Sequence, residues 1–395
     1  MQIFIFVLGL VLFIGLVLVH EWGHFISARR NGVDVEEFGL GFPPSAWSKK
    51  LKSGMTLSLN LLPLGGFVKL KGENDSDKRK GSFGAATLGS KSKILLAGVF
   101  MNLVVGLVAL TALAWIGMPK LLTQDSVGQN QFTVASDTHV INQKVIVGPV
   151  QPGSPAAKAG LRSTDSLVSI SNGQQVRKIA TTKDIHGATG AFAGQEVTIV
   201  FKRNGQSQAV KTTLLSKRAV QDSLKTNSPK GYLGIIPTGL EIQRSSWSAP
   251  VVAIGLTGQI FKLTFQGLGH AVAGLGSTIA GGITGNHAAR VNGQDQATSQ
   301  VGGPVAIGVA LWDYGSLGFN FMLFLIALIS LTLALMNILP IPALDGGRLA
   351  MILISHGIFR RSLSRAAEER IVGISFAFLL VLIGLITVVD VKRFF

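Results

Sequence analysis

Residues 17–28 read VLVHEWGHFISA, an H-E-x-x-H motif set into the end of a long apolar run. On a helix, positions four apart share a face, so His20 and His24 can present imidazole nitrogens to one tetrahedral zinc ion. Glu21 then stands beside the metal, where a carboxylate can take a proton from a water whose pKa zinc has lowered to about 7. A soluble helix can carry this pattern by chance, as a polar stripe. Here residues 3–19 hold no charge and no amide, and an ionisable residue at mid-membrane costs about 2.5–3.5 kcal/mol on insertion scales. A His-Glu-His cluster in that setting is expected to have a ligand that compensates it.

The chain has 395 residues, 47% of them hydrophobic and only 14% charged. That is too apolar for an ordinary soluble enzyme and too long for membrane helices alone, so part of the chain must fold in water. A net charge of +16 and a pI near 10.3 would suggest nucleic acid in a soluble protein. The basic groups at 29–30, 49–50, 78–80 and 360–361 instead flank apolar spans, as the positive-inside rule expects, and no nucleic-acid partner is read. With no cysteine, a metal must be held by nitrogen and oxygen. MQIFIFVLGL lacks the basic region and cleavage site of a secretory leader and reads as a retained helix.

Working outward, the first span covers about residues 3–28, with the motif in its last third and Arg29 and Arg30 marking a cytoplasmic end. Between 31 and 93, EFGLGFPPSAW and LSLNLLPLGGFVKL are apolar and broken by Gly and Pro. The second suggests a hairpin over 58–70 that dips towards the membrane and lines the site, or else an interfacial loop packed on the helices. The second span, about 94–118, carries Gly98, Asn102 and Gly106 on one small-residue face. Asn102 is either interhelical glue or an amide that bonds a substrate carbonyl.

Residues 119–245 turn soluble and read as strand, short Pro-initiated helix, strand and hairpin, with GYLGI at 231–235 as a Gly-hinged loop entering a last strand. Such a loop can offer N–H groups to a carboxylate, or the whole can be a plain packing domain. Residues 246–285, broken by Lys262, Gln266 and His270, read as an amphipathic surface helix, with a polar connecting loop to 316. His139, His186, His270, His287 and His356 have no partner at metal-ligand spacing.

The third span, about 317–339, runs into MNILPIPALDGGR, where Pro340 and Pro342 must unwind the helix near Asn337 and Asp345. Two histidines leave a zinc site one protein ligand short, and Asp345 lies at the matching membrane depth to supply it. Residues 346–370 read as a basic loop before a fourth span at about 371–389. Both termini and the 119–245 domain then lie outside.

HEWGH, the Gly98-x-x-x-Asn102 pattern, GGP near 303 and NILPIPALDGG together resemble the site-2 protease family of intramembrane zinc metalloproteases, closest to the bacterial branch that cuts anti-sigma factors. The resemblance covers essentially the whole chain. It implies a polytopic α-helical membrane protein of about four transmembrane helices, with a membrane re-entrant β-hairpin and one inserted, extracytoplasmic PDZ-like α+β domain. The expected parts are 1–118, 119–245, 246–316 and 317–395. It further implies His20, His24 and Asp345 as zinc ligands, Glu21 as general base and Asn337 as a substrate contact, to which the residues themselves add Asn102 as a candidate. Expected partners are the bilayer, single-span proteins such as anti-sigma factors or signal-peptide remnants, and a peptide C-terminus at the PDZ-like domain, all at a bacterial inner membrane. Two rivals are a membrane-anchored binding protein with a structural zinc, which would want four protein ligands, and a transporter, which no inverted repeat supports.

Overall fold

The computed structural model describes residues 2–122, 131–203, 205–225, 229–288, 292, 303–315 and 317–394. In chain order these form α1 (Gln2–Arg30), β1 (Val35–Lys50), β2 (Thr56–Leu70), α2 (Leu88–Ile116), β3 (Met118–Leu122) and β4 (His139–Val150). There follow α3 (Pro155–Lys158), β5 (Ser166–Ser171), β6 (Val176–Lys178), α4 (Thr182–Ala191), β7 (Glu196–Arg203), β8 (Gln206–Thr213), α5 (Lys217–Ser223) and β9 (Ile235–Arg244). The last part is helical: α6 (Ala249–Thr284), α7 (Pro304–Gly315), α8 (Phe319–Asn337), α9 (Asp345–Gly357) and α10 (Arg365–Phe394).

Five helices are long and apolar enough to cross a membrane: α1, α2, α6, α8 and α10. By length and composition this is one more candidate than the about four expected. The addition is α6, expected as a surface helix; it is one continuous helix of 36 residues with mean hydropathy 1.3, against 2.4–3.0 for the others. Its Gly and Ala lower the hydropathy without making the helix polar, so scattered Lys262, Gln266 and His270 outweighed them in the reading. Most of the polar segment 286–300 lies outside the described residues.

The chain divides into two compact units. One comprises Met1–Val7, Ala109–Leu256 and Ala310–Phe324. Its centre is a seven-stranded sheet in the order β3-β9-β4-β5-β7-β8, with β6 paired to β5. Alternation in β7, EVTIVFKR, buries Val197, Ile199 and Phe201 against Val145, Val147, Ile170, Ile185 and Phe192. Pro155 opens α3 behind the Ser154 cap, and Thr181 with Asp184 forms a capping box for α4. Asp137 accepts hydrogen bonds from the Ser246 and Ser248 backbones and hydroxyls, tying the loop before β4 to the start of α6. β3 covers β9 only at Gly239–Gln243, so Ile235–Thr238 keep one unpaired edge among the described residues.

The other unit comprises Leu8–Val108, Thr257–Val309 and Leu325–Phe395. Helices α1, α2 and α8 pack here through small residues: Gly23 against the Ala97 carbonyl, and Gly106 against Leu331. Ser330 Oγ donates to the Asn102 carbonyl at 2.8 Å. Strands β1 and β2 pair antiparallel, but each is bent, and Glu37–Leu40 lie between Thr56–Leu59 on one side and Gly66–Lys69 on the other. The expected hairpin within 58–70 is therefore replaced by a sheet in which the two limbs of β2 do not pair with each other. Gly39 permits this by leaving room for the Phe67 ring and Ser58 beside it.

The segment 346–370, expected as a loop, is largely helical: α9 takes Asp345–Gly357, with Ile352 buried and Leu349 packed against the same core, and α10 begins at Arg365. Gly346 and Gly347 sit against the Ile338 and Ile341 carbonyls, an approach any side chain would block. At the far end of α9, His356 Nε2 bonds Asp75 at 2.7 Å; Asp75 is also ion-paired with the buried Lys91, and its N–H donates to Glu368 of α10. The Pro304 helix starts on Asp390, whose carboxylate accepts from the Gly303 and Ala306 N–H groups.

Candidate active site

Helical spacing puts His20 and His24 on one face of α1, and both are 8% exposed. The unwound segment between α8 and α9 carries Asp345 to them. His20 Nε2 lies 3.1 Å from Asp345 Oδ2, His24 Nε2 lies 3.2 Å from the same oxygen, and the two Nε2 atoms are 3.1 Å apart. Ligands placed 2.0–2.1 Å from a tetrahedral ion are about 3.3 Å from one another, so this donor set fits zinc closely.

The tautomers fit as well. His24 Nδ1 is 2.8 Å from the Ile94 carbonyl, which can only accept, so Nδ1 carries the proton and the Nε2 lone pair faces the cluster. His20 Nδ1 meets Asn102 Nδ2 at 3.3 Å, while Asn102 Oδ1 is buried without a partner. Turning the amide over gives Oδ1 the Nδ1–H of His20 and leaves the second Nε2 lone pair facing the cluster too. Two lone pairs and a carboxylate in a buried cavity repel one another unless a cation joins them.

Asn102 is 1% exposed. Its side chain meets His20, a contact that neither expectation for this residue, interhelical glue or a substrate bond, included. Gly98, one turn earlier, has a second purpose beyond helix packing: a Cβ there would run into His24 Nε2 and lie 2.6 Å from His20 Nε2. Only glycine leaves both rings in place.

Glu21 points from the same turn of α1 towards β2, where a Cβ on Gly66 would lie 3.0 Å from Glu21 Cγ and the Val68 backbone bonds its carboxylate. Asn337 is half-buried at the end of α8 and makes no side-chain hydrogen bond to the cluster among the described residues. His20, His24 and Asp345 are the one group of three metal-binding side chains found among the described residues. Sequence reading missed the Ile94 carbonyl and Ser330, since neither carries a chemical signature; the i, i+4 pairing of Gly98 with Asn102 was the available signal for the others.

The model of peptidase family M50 matches residues 8–382. The chain belongs to peptidase family M50. Relatives of nearly the same length agree. A Clostridium perfringens protein named "Putative zinc metalloprotease" is 31% identical, with 98% of each chain covered. "Probable protease eep" of Enterococcus faecalis is 25% identical, covering 99% of this chain and 98% of its own. A Brucella suis protein named like the first is 28% identical over 97% and 92%. The M50 family is the zinc-dependent site-2 protease family, and this M50 protein is accordingly a membrane zinc metalloendopeptidase.

Proposed function

We propose that this M50 protease cuts a peptide bond within or beside the membrane segment of single-span proteins, such as anti-sigma factors or signal-peptide remnants. The observation that carries this reading is the buried His20–His24–Asp345 donor set, built on helices long and apolar enough to span a membrane. His20 and His24 of α1 and Asp345 of α9 hold the zinc. Three protein ligands leave a position open, as a catalytic rather than a structural site requires.

Zinc supplies Lewis acidity there, making water acidic enough to ionise near neutral pH and polarising a carbonyl. Glu21 accepts the proton of the attacking water as its oxygen bonds the scissile carbonyl carbon. The same carboxyl returns that proton to the amine as the C–N bond breaks, giving a free carboxylate and amine. Asn102 and the Ile94 carbonyl keep both rings aimed while this happens.

A helical substrate shields its carbonyls and must unwind first. Gly66–Leu70 form an edge limb of the β1–β2 sheet beside Glu21, so an extended substrate segment added to that edge runs past the proton acceptor. Asn337, at the end of α8, holds that segment from the other side. Arg29 and Arg30 support a reading in which the end of α1 faces the cytoplasm of a bacterial inner membrane and the seven-stranded sheet lies outside. The outer domain is PDZ-like: the free edge Ile235–Thr238, entered through Gly234 at φ 77°, lies where a peptide C-terminus would add as a strand.

The test is cleavage of a single-span reporter by wild type and Glu21→Gln protein, with bound zinc measured in both. Cleavage by wild type alone with zinc in both supports the reading. Cleavage by Glu21→Gln overturns it.

A further inference from the structure

Within the unit built on the seven-stranded sheet, three strands that each pair with β5 carry lysines that line one cleft of about 910 Å³: Lys144 on β4, Lys178 on β6 and Lys202 on β7. None of the three has an ion pair among the described residues. The one carboxylate in the lining, Asp165, is already held by Arg203 Nε at 2.7 Å and Nη2 at 2.6 Å. Four cations against one carboxylate leave the cleft strongly positive. Burial and the nearby Lys202 charge push the Lys144 ammonium below its ordinary pKa, as expected of a cluster with no counter-ion.

The cleft's other wall comes from the ends of apolar helices. Ile5 stands in the first turns of α1, and Leu317 and Gly318 immediately precede α8. The candidate spans begin at Ile3 and Phe319, so these residues mark where hydrocarbon gives way to headgroups. Independently, Trp115 at the end of α2 and Trp247 just before α6 are 50% and 68% exposed, with Trp115 Nε1 bonded to the Ser246 carbonyl. Exposed tryptophans at helix ends are the usual mark of the membrane interface. A cluster of cations with half-buried Lys144 at its centre and, among the described residues, no ion pair of its own meets, at that depth, one abundant anion, the phosphate of a lipid headgroup.

We propose that this cleft binds the headgroup of an anionic phospholipid, with Lys144, Lys178 and Lys202 around the phosphate and Ile5 and Leu317 against the first methylenes of its chains. The inference needs the membrane placement of the chain and nothing of the metal site. A lipid seated there would fill the space between the sheet and the helix ends of its own unit.

The experiment uses the full chain in neutral detergent, titrated with phosphatidylglycerol or phosphatidylcholine of identical acyl chains, with retained lipid counted by native mass spectrometry. Wild type should retain phosphatidylglycerol at least tenfold over phosphatidylcholine. Lys178→Gln with Lys202→Gln should remove most of that preference, since two interfacial lysines at about 1 kcal/mol each amount to about thirtyfold in anionic-lipid binding. The control Lys49→Gln with Lys50→Gln removes the same charge from exposed positions on β1 and should leave the preference unchanged. Both pairs lie in the exposed ends of side chains, and unchanged thermal unfolding identifies a folded variant. Equal retention of the two lipids by wild type, or equal losses in the two variants, overturns the site. Displacement of phosphatidylglycerol by millimolar inorganic phosphate also overturns it, in favour of a free-phosphate site.

Discussion

The Asn102 amide stands 3.3 Å from His20 Nδ1, while His20 Nε2 meets Asp345 at 3.1 Å from the other side of the ring. One ring thus joins α2 to the start of α9. A hydrogen-bond partner on the far nitrogen of a metal-binding imidazole changes metal affinity by about 10- to 100-fold. Asn102→Ala should weaken zinc binding by that factor in competition with a chromophoric chelator, whereas Asn102→Asp, which keeps an acceptor, should stay near wild type. Wild-type affinity in Asn102→Ala would remove the positioning role.

Gly98 is the second lever on the same cluster. Because a Cβ there collides with both imidazoles, Gly98→Ala should lower zinc stoichiometry and abolish cleavage. Helical content by circular dichroism should not change, since alanine favours a helix interior. Gly15, whose Cβ would meet nothing within 4 Å, supplies the control: Gly15→Ala should leave both properties intact.

Metal binding and proton transfer should separate by mutation. Asp345→Ala should lose zinc and activity together. Glu21→Gln should keep zinc and lose activity by about 10²- to 10⁴-fold, the usual range for removing a positioned acid–base group. Zinc content beside turnover reads both, and a chelator-stripped wild type should recover on zinc addition where Asp345→Ala does not.

Asp75 sets the acid limb of stability. Burial raises its pKa, but hydrogen bonds from Lys91 and His356 outweigh burial and hold it below the ordinary carboxylate value. A carboxyl with a lowered folded pKa contributes fully above its unfolded pKa near 3.9 and loses that contribution as pH falls through the folded value. Thermal stability should therefore fall below about pH 4, and the double variant Asp75→Asn with Lys91→Met should flatten that fall. Lys91→Met alone takes away the buried ammonium and leaves the Asp75 carboxylate with His356 as its one ion-pair partner among the described residues; it should cost about 3–5 kcal/mol, read from the unfolding midpoint in denaturant.

Several elements were legible along the chain because their signals are local. The i, i+4 period names His20 and His24, and Pro155 and the strand pattern EVTIVFKR mark the short helix and the β7–β8 hairpin of the soluble domain. The misreadings share a cause. Residues 345–357 looked like a loop because DGG opens them, yet those glycines are there so that α9 can press on the 338–341 backbone. The 58–70 stretch looked self-paired because Pro63 and Gly65 bend it, but its partner is Glu37–Leu40, some twenty residues away in one direction and thirty in the other.

By itself the sequence determined the apolar helices, the presence of a water-soluble insert, and the H-E-x-x-H face, because each depends on residues within one turn or one strand of each other. Only the tertiary structure decided that Asp345, 325 residues from His20, shares its cavity, that Asn102 serves a ring, and that three lysines from separate strands open into one cleft. Those relations rest on how helices cross and strands register. Such packing is set by small residues and close contacts over the whole chain, which no local period records.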